Sequence, residues 1–346
     1  MPYVLDERPT VGMIGLGLMG SAMSASLLKA GYHVLGYDIS AAARAAHRRA
    51  GGRIATSPAA VAAGAEIVVT SLPSAKALSA TADALAGAVG NAAFRNTAFR
   101  NAALRNTALR NTVVETSTLP ISAKESARAR LAESGIVLLD CPLSGTAAQA
   151  RAKDLIVYAS GSRAAYRRVA PVLDGFARAH HYVGPFGAGS KMKFVANLLV
   201  AIHNVAAAEA MVLGMRAGLD PALILKVIGD GAGSSRMFQV RGPMMVAGRY
   251  DDATMKVDVF QKDMTIIGDF ARQVASPTPL FSACAPIYTA AMGMGRAKDD
   301  TAAVCAVLET MAGHVRPSQP ARAASPGTRG ATPSRRTMAI GRRRGQ

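Results

Sequence analysis

The stretch VGMIGLGLMGSAM, residues 11–23, decides how the first part of this chain folds. Its apolar start is typical of a strand, and Gly15, Gly17 and Gly20 follow in G-x-G-x-x-G spacing at the opening of a helix. Asp38 ends the next apolar run, 18 residues after Gly20. Strand, glycine loop, helix and acidic residue in this order are the fingerprint of a dinucleotide-binding βαβ unit.

Each glycine of the loop has a separate task in this pattern. Gly15 permits a tight turn, Gly17 lets a pyrophosphate approach the backbone, and Gly20 lets the helix pack closely on the strand. Free N–H groups and the helix dipole favour an anion at that helix N-terminus. We therefore predict that a dinucleotide binds along the loop, which also contains Leu16, Leu18 and Met19.

Asp38 indicates which dinucleotide is bound. A carboxylate at the end of this strand accepts hydrogen bonds from a ribose diol and repels a 2′-phosphate. Arg44 lies six residues further on and would be available to such a phosphate. We predict NAD as the cofactor, with NADP as the alternative.

Beyond the loop, short β-branched runs alternate with alanine-rich, helix-length segments to about residue 140. The predicted strands are TVGMIG, HVLGYD, EIVVTSLP, TVVETST and GIVLLDCP, followed by LIVYASG. Such alternation predicts a mostly parallel sheet with right-handed crossovers. We therefore expect an α/β, doubly wound Rossmann domain over residues 1–186.

After Gly187 the strand signals stop and helical windows take over. These windows are residues 192–217, 221–228, 262–273, 286–293 and 299–312. We expect an all-α domain over residues 187–314, which would bind substrate and form the contacts between subunits.

Two segments do not fit either domain. Residues 91–110 are four pentads of the form Asn-Ala/Thr-Ala-Phe/Leu-Arg. Excising these residues leaves an ordinary helix-to-strand connection. The pattern therefore indicates a tandem duplication inserted in a surface loop. Residues 315–346 are rich in Pro, Gly, Ser and Arg and predict a disordered basic tail.

The net charge of +18 comes mostly from these two segments, since the tail holds eight arginines, the pentads hold four, and neither holds an acid. The remaining charge is that of an ordinary enzyme surface, so a nucleic-acid function is not favoured.

The three cysteines lack the spacing of a disulfide framework or zinc site. The N-terminus has no apolar signal region, and the apolar window 194–215 contains Asn, His and Glu, so we expect a cytoplasmic protein without a membrane span.

Several motifs in fixed order make the chain resemble the β-hydroxyacid dehydrogenases, which include 3-hydroxyisobutyrate dehydrogenase, tartronate semialdehyde reductase and the 6-phosphogluconate dehydrogenases. Besides the glycine loop they are SLP (71–73), STLP (117–120), CPLSGTAAQA (141–150), GAGSKMKFVANLL (187–199) and FQKDM (260–264). The stretches GAGSSRMFQVRGPMMVAGRY (231–250) and GRAKDDTA (295–302) are most similar to the L-threonate dehydrogenase branch. The resemblance covers residues 10–312 apart from the pentads.

The resemblance implies a catalytic lysine and a substrate-binding asparagine in a K-x-x-x-N pattern. Lys193 and Asn197 fit this pattern, whereas Lys191 is followed four residues later by Val195. Residues four apart share one face of a helix and can meet the same substrate hydroxyl. Lys193 is therefore the expected acid/base, and Lys191 is expected to be a solvated or phosphate-steering neighbour.

The resemblance also implies the remaining site residues. Ser144 and Gly145 match the loop that holds the substrate carboxylate, and Thr146 stands where the family usually has a second glycine; a positive φ there would strain a threonine. The implied cofactor contacts beyond the glycine loop and Asp38 are Leu72, Pro73, Thr118 and Lys262.

The expected activity is the NAD-dependent oxidation of a small hydroxy acid, most specifically a four-carbon sugar acid such as L-threonate. The alternatives are 3-hydroxyisobutyrate dehydrogenase and an NADP-linked semialdehyde reductase. An alternative of another class is a non-catalytic dinucleotide-binding interaction protein, against which the retained Lys193 argues. We also expect a homodimer or homotetramer.

Overall fold

The structure is a computed structural model that describes residues 8–90 and 112–316. The predicted pentad insertion and the tail beyond residue 316 lie outside the described residues. Arg316, which we assigned to the tail, docks on the helical domain: it donates hydrogen bonds to Glu309 at 2.8 Å and to the Val246 carbonyl at 2.9 Å. The sequence placed the start of the tail too early because one of these acceptors, the Val246 carbonyl, lies 70 residues away on another helix.

The first part of the described chain is an α/β unit built on one sheet. Its strands are β1 (Val11–Ile14), β2 (Val34–Tyr37), β3 (Arg53–Ile54), β4 (Ile67–Thr70), β5 (Thr112–Glu115), β6 (Val137–Asp140), β7 (Leu143–Ser144), β8 (Ile156–Ser160) and β9 (Ala179–Gly184). Its helices are α1 (Leu18–Lys29), α2 (Ala41–Arg49), α3 (Pro58–Gly64), α4 (Ala75–Gly90), α5 (Ile121–Ala132), α6 (Ala147–Arg151) and α7 (Arg163–Phe176).

The strands lie in the order β3-β2-β1-β4-β5-β6-β8-β7, and β9 pairs with β8. Strands β1 to β6 pair in parallel, whereas β8 is antiparallel to β6 and β7. The order reverses between β1 and β4, and in doubly wound sheets the ligand crevice lies at such a point. Apolar clusters fill both faces, with α1 and α7 on one side and α3, α4 and α5 on the other. The two-residue strands β3 and β7 and the six-residue strand β9 were not predicted, because two-residue runs and the polar β9 sequence AHHYVG carry little β signal.

The glycine loop is shaped by contacts that no side chain would tolerate. Gly15 has φ +90°, and a Cβ there would lie 2.1 Å from the Ser71 carbonyl oxygen. A Cβ on Gly20 would lie 1.8 Å from the Gly15 carbonyl oxygen. The first and third glycines therefore do what the pattern predicts: one makes the turn and the other allows α1 to approach β1.

The second part of the described chain is helical. Its elements are α8 (Ala188–Arg216), α9 (Pro221–Gly229), α10 (Arg236–Ala247), α11 (Val257–Gln273), α12 (Pro279–Gly293), a 3-10 turn (Thr301–Ala303) and α13 (Val304–Met311). Helix α8 packs against all five other helices and also against β6, β7, β8 and β9. By length and hydropathy α8 could cross a membrane, but in this fold it is the central helix of the bundle; a cytoplasmic location stays a prediction.

Helix α8 begins four residues earlier than predicted because of two glycines. Gly187 caps it with φ +90°, and a Cβ on Gly189 would lie 2.4 Å from the Tyr158 carbonyl oxygen and 2.6 Å from that of Asp140. The glycines that weaken the helix signal are thus the residues that let α8 start against the sheet. Helix α10 was missed altogether because Gly242 and Pro243 interrupt its pattern.

Candidate active site

A cleft of about 640 Å³ opens at the carboxyl ends of β1, β2 and β4, where the strand order reverses. The loop before α11 and its first turn contribute the opposite wall, including Thr254, Met255 and Lys256. The predicted site residues that line the cleft are Gly15, Gly17, Leu18, Met19, Asp38, Leu72, Pro73, Gly145 and Thr146. The structure therefore brings the glycine loop, the strand-end carboxylate and Gly145 of the predicted carboxylate loop to one cavity, whereas Thr118, Ser144, Lys193 and Asn197 do not line it.

The N-terminus of α1 fits the pyrophosphate of a dinucleotide. Gly17 caps this helix without a side-chain hydrogen bond, and the first turn carries no acidic residue. A Cβ added to Gly17 would meet nothing within 4 Å, so the space beyond its backbone is open. Free N–H groups facing an open cleft suit an anion.

Leu16 and Gly20, also predicted to contact the cofactor, are buried and do not line the cleft. The Leu16 N–H donates to Asp38 Oδ2 at 2.7 Å, and the Ser40 N–H donates to Asp38 Oδ1 at the same distance. The carboxylate is thereby fixed at the end of β2. Arg44 donates to the carbonyl oxygens of Asp38 at 2.6 Å and Ile39 at 3.0 Å, so its guanidinium is turned against the backbone.

In the predicted carboxylate loop, the backbone at Thr146 differs from the strained conformation considered above. Thr146 has φ −95° and is the N-cap of α6, so the residue that replaces the family's glycine is not strained. It forms a capping box with Gln149, whose Oε1 accepts from the Thr146 N–H at 3.0 Å. That N–H is therefore engaged within the protein, and the groups left for a substrate carboxylate are the Ser144 hydroxyl and the N–H of Gly145, which has φ +132°.

Lys193 and Asn197 lie on the buried face of α8, one turn apart, while Lys191 is exposed. Lys193 is only 8% exposed. Burial lowers the pKa of its amine; the Asp263 carboxylate opposes this shift and the Lys262 ammonium adds to it. A lysine with a lowered pKa can exist as the neutral amine, the form a general base requires.

Helix α11 supplies the groups that face this pair. Asp263 Oδ2 accepts a hydrogen bond from Asn197 Nδ2 at 2.9 Å. Lys262 does not line the cleft; its ammonium donates to the Thr118 carbonyl oxygen at 2.6 Å and joins the two domains. Both residues belong to the FQKDM motif, from which the resemblance implied a role for Lys262 alone.

A buried charged cluster behind the site was also missed. Lys124 Nζ lies 2.6 Å from Glu115 Oε2 and 2.8 Å from Asp140 Oδ1, and it donates to the Ser117 carbonyl oxygen at 2.6 Å. Asp140 in turn accepts from the N–H and the hydroxyl of Ser190, both at 2.8 Å. Because Ser190 is in the first turn of α8, this cluster ties the helix that carries Lys193 to the sheet.

Two family models match the chain in succession. One, described as the NAD binding domain of 6-phosphogluconate dehydrogenase, matches residues 10–184. The other, described as NAD-binding of NADP-dependent 3-hydroxyisobutyrate dehydrogenase, matches residues 187–308. The chain belongs to the β-hydroxyacid dehydrogenase family. The predictions of family and fold class are thereby confirmed.

Curated members of the family include an L-threonate dehydrogenase of Cupriavidus necator, 38% identical over 194 residues, which are 56% of this chain and 65% of that protein. A chloroplastic glyoxylate/succinic semialdehyde reductase of Arabidopsis thaliana is 29% identical over 195 residues, 56% of this chain and 54% of that protein. The chain thus spans less than two thirds of the length of these two relatives.

Solved structures of the family match over more of the chain. A 3-hydroxyisobutyrate dehydrogenase from Salmonella typhimurium is 32% identical with a TM-score of 0.71, covering 87% of this chain and 100% of that one. A Mycobacterium tuberculosis 3-hydroxyisobutyrate dehydrogenase, solved with L-serine, is 26% identical with a TM-score of 0.71, covering 87% and 99%.

Proposed function

We propose that this chain is an NAD-dependent dehydrogenase of small hydroxy acids and that its substrate is a four-carbon sugar acid such as L-threonate. The observation that carries the proposal is the buried pair Lys193 and Asn197, one turn apart on the face of α8 that meets Asp263 of α11. The substrate class is supported by the curated relative named L-threonate dehydrogenase at 38% identity.

In this proposal the chain's own groups hold the acid and move one proton. The Ser144 hydroxyl and the Gly145 N–H bind the substrate carboxylate, and the substrate hydroxyl lies between Lys193 and Asn197. Neutral Lys193 takes the hydroxyl proton as the oxygen becomes a carbonyl; in reverse, its ammonium returns that proton. The nicotinamide, when bound, supplies the acceptor for the hydride that leaves the carbon bearing this hydroxyl.

The preference for NAD rests on Asp38. Its carboxylate lines the cleft and is held in place by two backbone N–H groups. A fixed negative charge suits a ribose diol and opposes a 2′-phosphate, while the Arg44 guanidinium is occupied by two carbonyl oxygens. Asp38→Ala should therefore narrow the gap in kcat/KM between NAD and NADP, whereas preference for NADP in the unmutated protein would contradict the proposal.

The deciding experiment is a substrate screen on the purified protein. Reduction of NAD and of NADP is followed with threonate, 3-hydroxyisobutyrate, glycerate and 6-phosphogluconate, and oxidation of NADH and NADPH with succinic semialdehyde. We expect the highest kcat/KM for threonate with NAD. A higher value for the semialdehyde with NADPH would support the reductase instead, and dinucleotide binding without any turnover would indicate a non-catalytic binding protein.

We also propose that the chain forms a homodimer or homotetramer through the helical domain. This domain exposes several large apolar side chains, among them Leu199, Leu213, Leu223, Val227 and Leu280. Light scattering during size-exclusion chromatography tests this, and a monomer at all concentrations would contradict it.

A further inference from the structure

Asp263 meets the proposed catalytic pair from the neighbouring helix. It is buried on α11, and its Oδ2 accepts a hydrogen bond from Asn197 Nδ2 at 2.9 Å. An ionised carboxylate can only accept hydrogen bonds, so the amide nitrogen of Asn197 has to be the atom that faces it. One N–H of Asn197 is thus committed to Asp263, and its carbonyl oxygen and second N–H are left for a substrate hydroxyl.

The second oxygen of Asp263 is in a different position. No hydrogen-bond donor reaches Asp263 Oδ1 from any part of the chain that the structure describes. The Lys262 ammonium forms an ion pair with this oxygen at 3.1 Å and donates one of its three N–H groups to the Thr118 carbonyl. Lys262 is partly exposed whereas Asp263 is buried, so the charge of the carboxylate is the less screened of the two and its influence on Lys193 is the larger.

Within residues 8–90 and 112–316, few charged groups act on Lys193. On α11 they are Asp263 and Lys262, of opposite sign. On the sheet side, Glu115, Lys124 and Asp140 lie at the base of α8 and are paired with one another. Asp263 is therefore the negative charge on which Lys193 depends.

Resting on the proposed function, we propose that Asp263 is a positioning residue: its carboxylate orients the Asn197 amide and is the counter-charge for Lys193 when that amine takes up the substrate proton.

The proton step shows why a counter-charge is needed. The substrate O–H bond breaks, an N–H bond forms on Lys193, and a neutral amine becomes an ammonium in a buried site. A buried cation without a partner is costly, so the transfer would be opposed if α11 offered only Lys262. Asp263 offsets that cost without forming the tight contact that would hold Lys193 permanently charged.

The test begins with the protein alone, without cofactor or substrate. Protein labelled with carbon-13 lysine is titrated by NMR, and the Lys193 Cε signal is assigned by its loss in Lys193→Met. Asp263→Asn removes the charge but keeps an oxygen that can accept from Asn197, so the pKa of Lys193 should fall relative to the parent. Lys262→Met removes the opposing charge, so the pKa of Lys193 should rise. The matched control is Glu209→Gln, which removes an exposed carboxylate about 24 Å from Lys193 along α8. This substitution should leave the pKa of Lys193 unchanged.

Kinetics supply the second readout. In the oxidation direction the acid limb of the pH–kcat profile should move to lower pH in Asp263→Asn, with kcat reduced roughly tenfold because the amine holds its proton less well. Asp263→Ala also releases Asn197 and should lower kcat by about 10²-fold. Circular dichroism melts on each variant show whether a loss of activity is a loss of fold.

The outcomes separate this inference from the function on which it rests. An unchanged or higher pKa of Lys193 in folded Asp263→Asn would overturn the role of Asp263, whatever the enzyme does. The expected opposite shifts in Asp263→Asn and Lys262→Met, in a parent that oxidises none of the acids, would support the electrostatic role of Asp263 and count against the proposed function alone.

Discussion

Two buried lysines in this molecule have opposite surroundings. Lys124 is 0% exposed and touches Glu115, Asp140 and the Ser117 carbonyl, all within 2.8 Å. Lys193 is 8% exposed, and the charges that act on its amine from the described residues are those of Asp263 and Lys262, through space. Burial alone therefore does not identify a catalytic lysine; the presence or absence of a contacting anion is what separates the two.

Their pKa values follow from this difference. Burial acts to lower the pKa of Lys124, but Glu115 and Asp140 outweigh it and the pKa is raised. For Lys193 burial is the larger influence, and the pKa is lowered. Lys124 is thus held as a permanent cation that joins β5, α5 and β6, and Lys193 is able to change its charge during a reaction.

The largest effect on folding free energy should come from replacing Lys124, the lysine that contacts two carboxylates. Lys124→Met leaves two carboxylates buried without their cation, and breaking a buried ion pair in this way costs about 3–5 kcal/mol of folding free energy. Urea unfolding of the parent and of Lys124→Met measures this loss of folding free energy. Arg130→Met on the same helix is the control: its ion pairs with Asp83 and Glu133 are exposed and should matter little. Equal midpoints for Lys124→Met and the parent would show that the cluster is not a structural support.

The second prediction concerns Lys193, whose replacement should reduce activity and not stability. Lys193→Met should lower kcat by roughly 10²-fold or more, about 2.7 kcal/mol of transition-state stabilisation, because the proton acceptor is gone. Its unfolding free energy should not fall, since an apolar side chain replaces an amine with no contacting anion. Steady-state kinetics and urea unfolding on the same preparations decide this. A variant that keeps the parent's kcat would remove Lys193 from the mechanism.

The third effect concerns pH. Lys193 accepts a proton only when neutral, so the oxidation rate should rise with pH through its pKa and then level; in the reduction direction, where the ammonium donates, the rate should fall through the same pKa. The lowered pKa places both changes below 10.5, the ordinary value for lysine. Lys124 contributes no such change because its raised pKa keeps it charged. Initial rates in both directions across the neutral and alkaline range test this, and limbs at the ordinary value would contradict it.

How much the sequence predicted depends on whether the partners are near in the chain. The glycine loop and the Lys193–Asn197 pair are local patterns, in which the period of the helix or the need for a tight turn fixes the geometry. The domain order follows from hydrophobic periodicity for the same reason.

What the sequence could not predict is contact between distant segments. Asp263 and Asn197 are 66 residues apart, and nothing in either neighbourhood specifies the other. The sequence predicts a surface position for Lys124 because its helix, ISAKESARARLA, combines charged residues and serines with small alanines and shows no strong apolar face. Thr146 looked like a strained replacement because its capping partner, Gln149, becomes evident only once α6 is seen to begin there.

The smallest effect should be at Lys191, a third lysine, which is exposed to solvent. It lies two residues before Lys193, so the helical rotation places it on the solvent side of α8, and its neighbour four residues on is the exposed Val195. Lys191→Ala should change kcat by less than about twofold and leave the pH limb in place, because an exposed cation is screened by water. A modest rise in KM for the acid that disappears at high salt would fit long-range steering of an anion. If Lys191→Ala instead loses kcat as severely as Lys193→Met, then exposure does not separate these lysines, and the comparison on which the catalytic assignment rests is wrong.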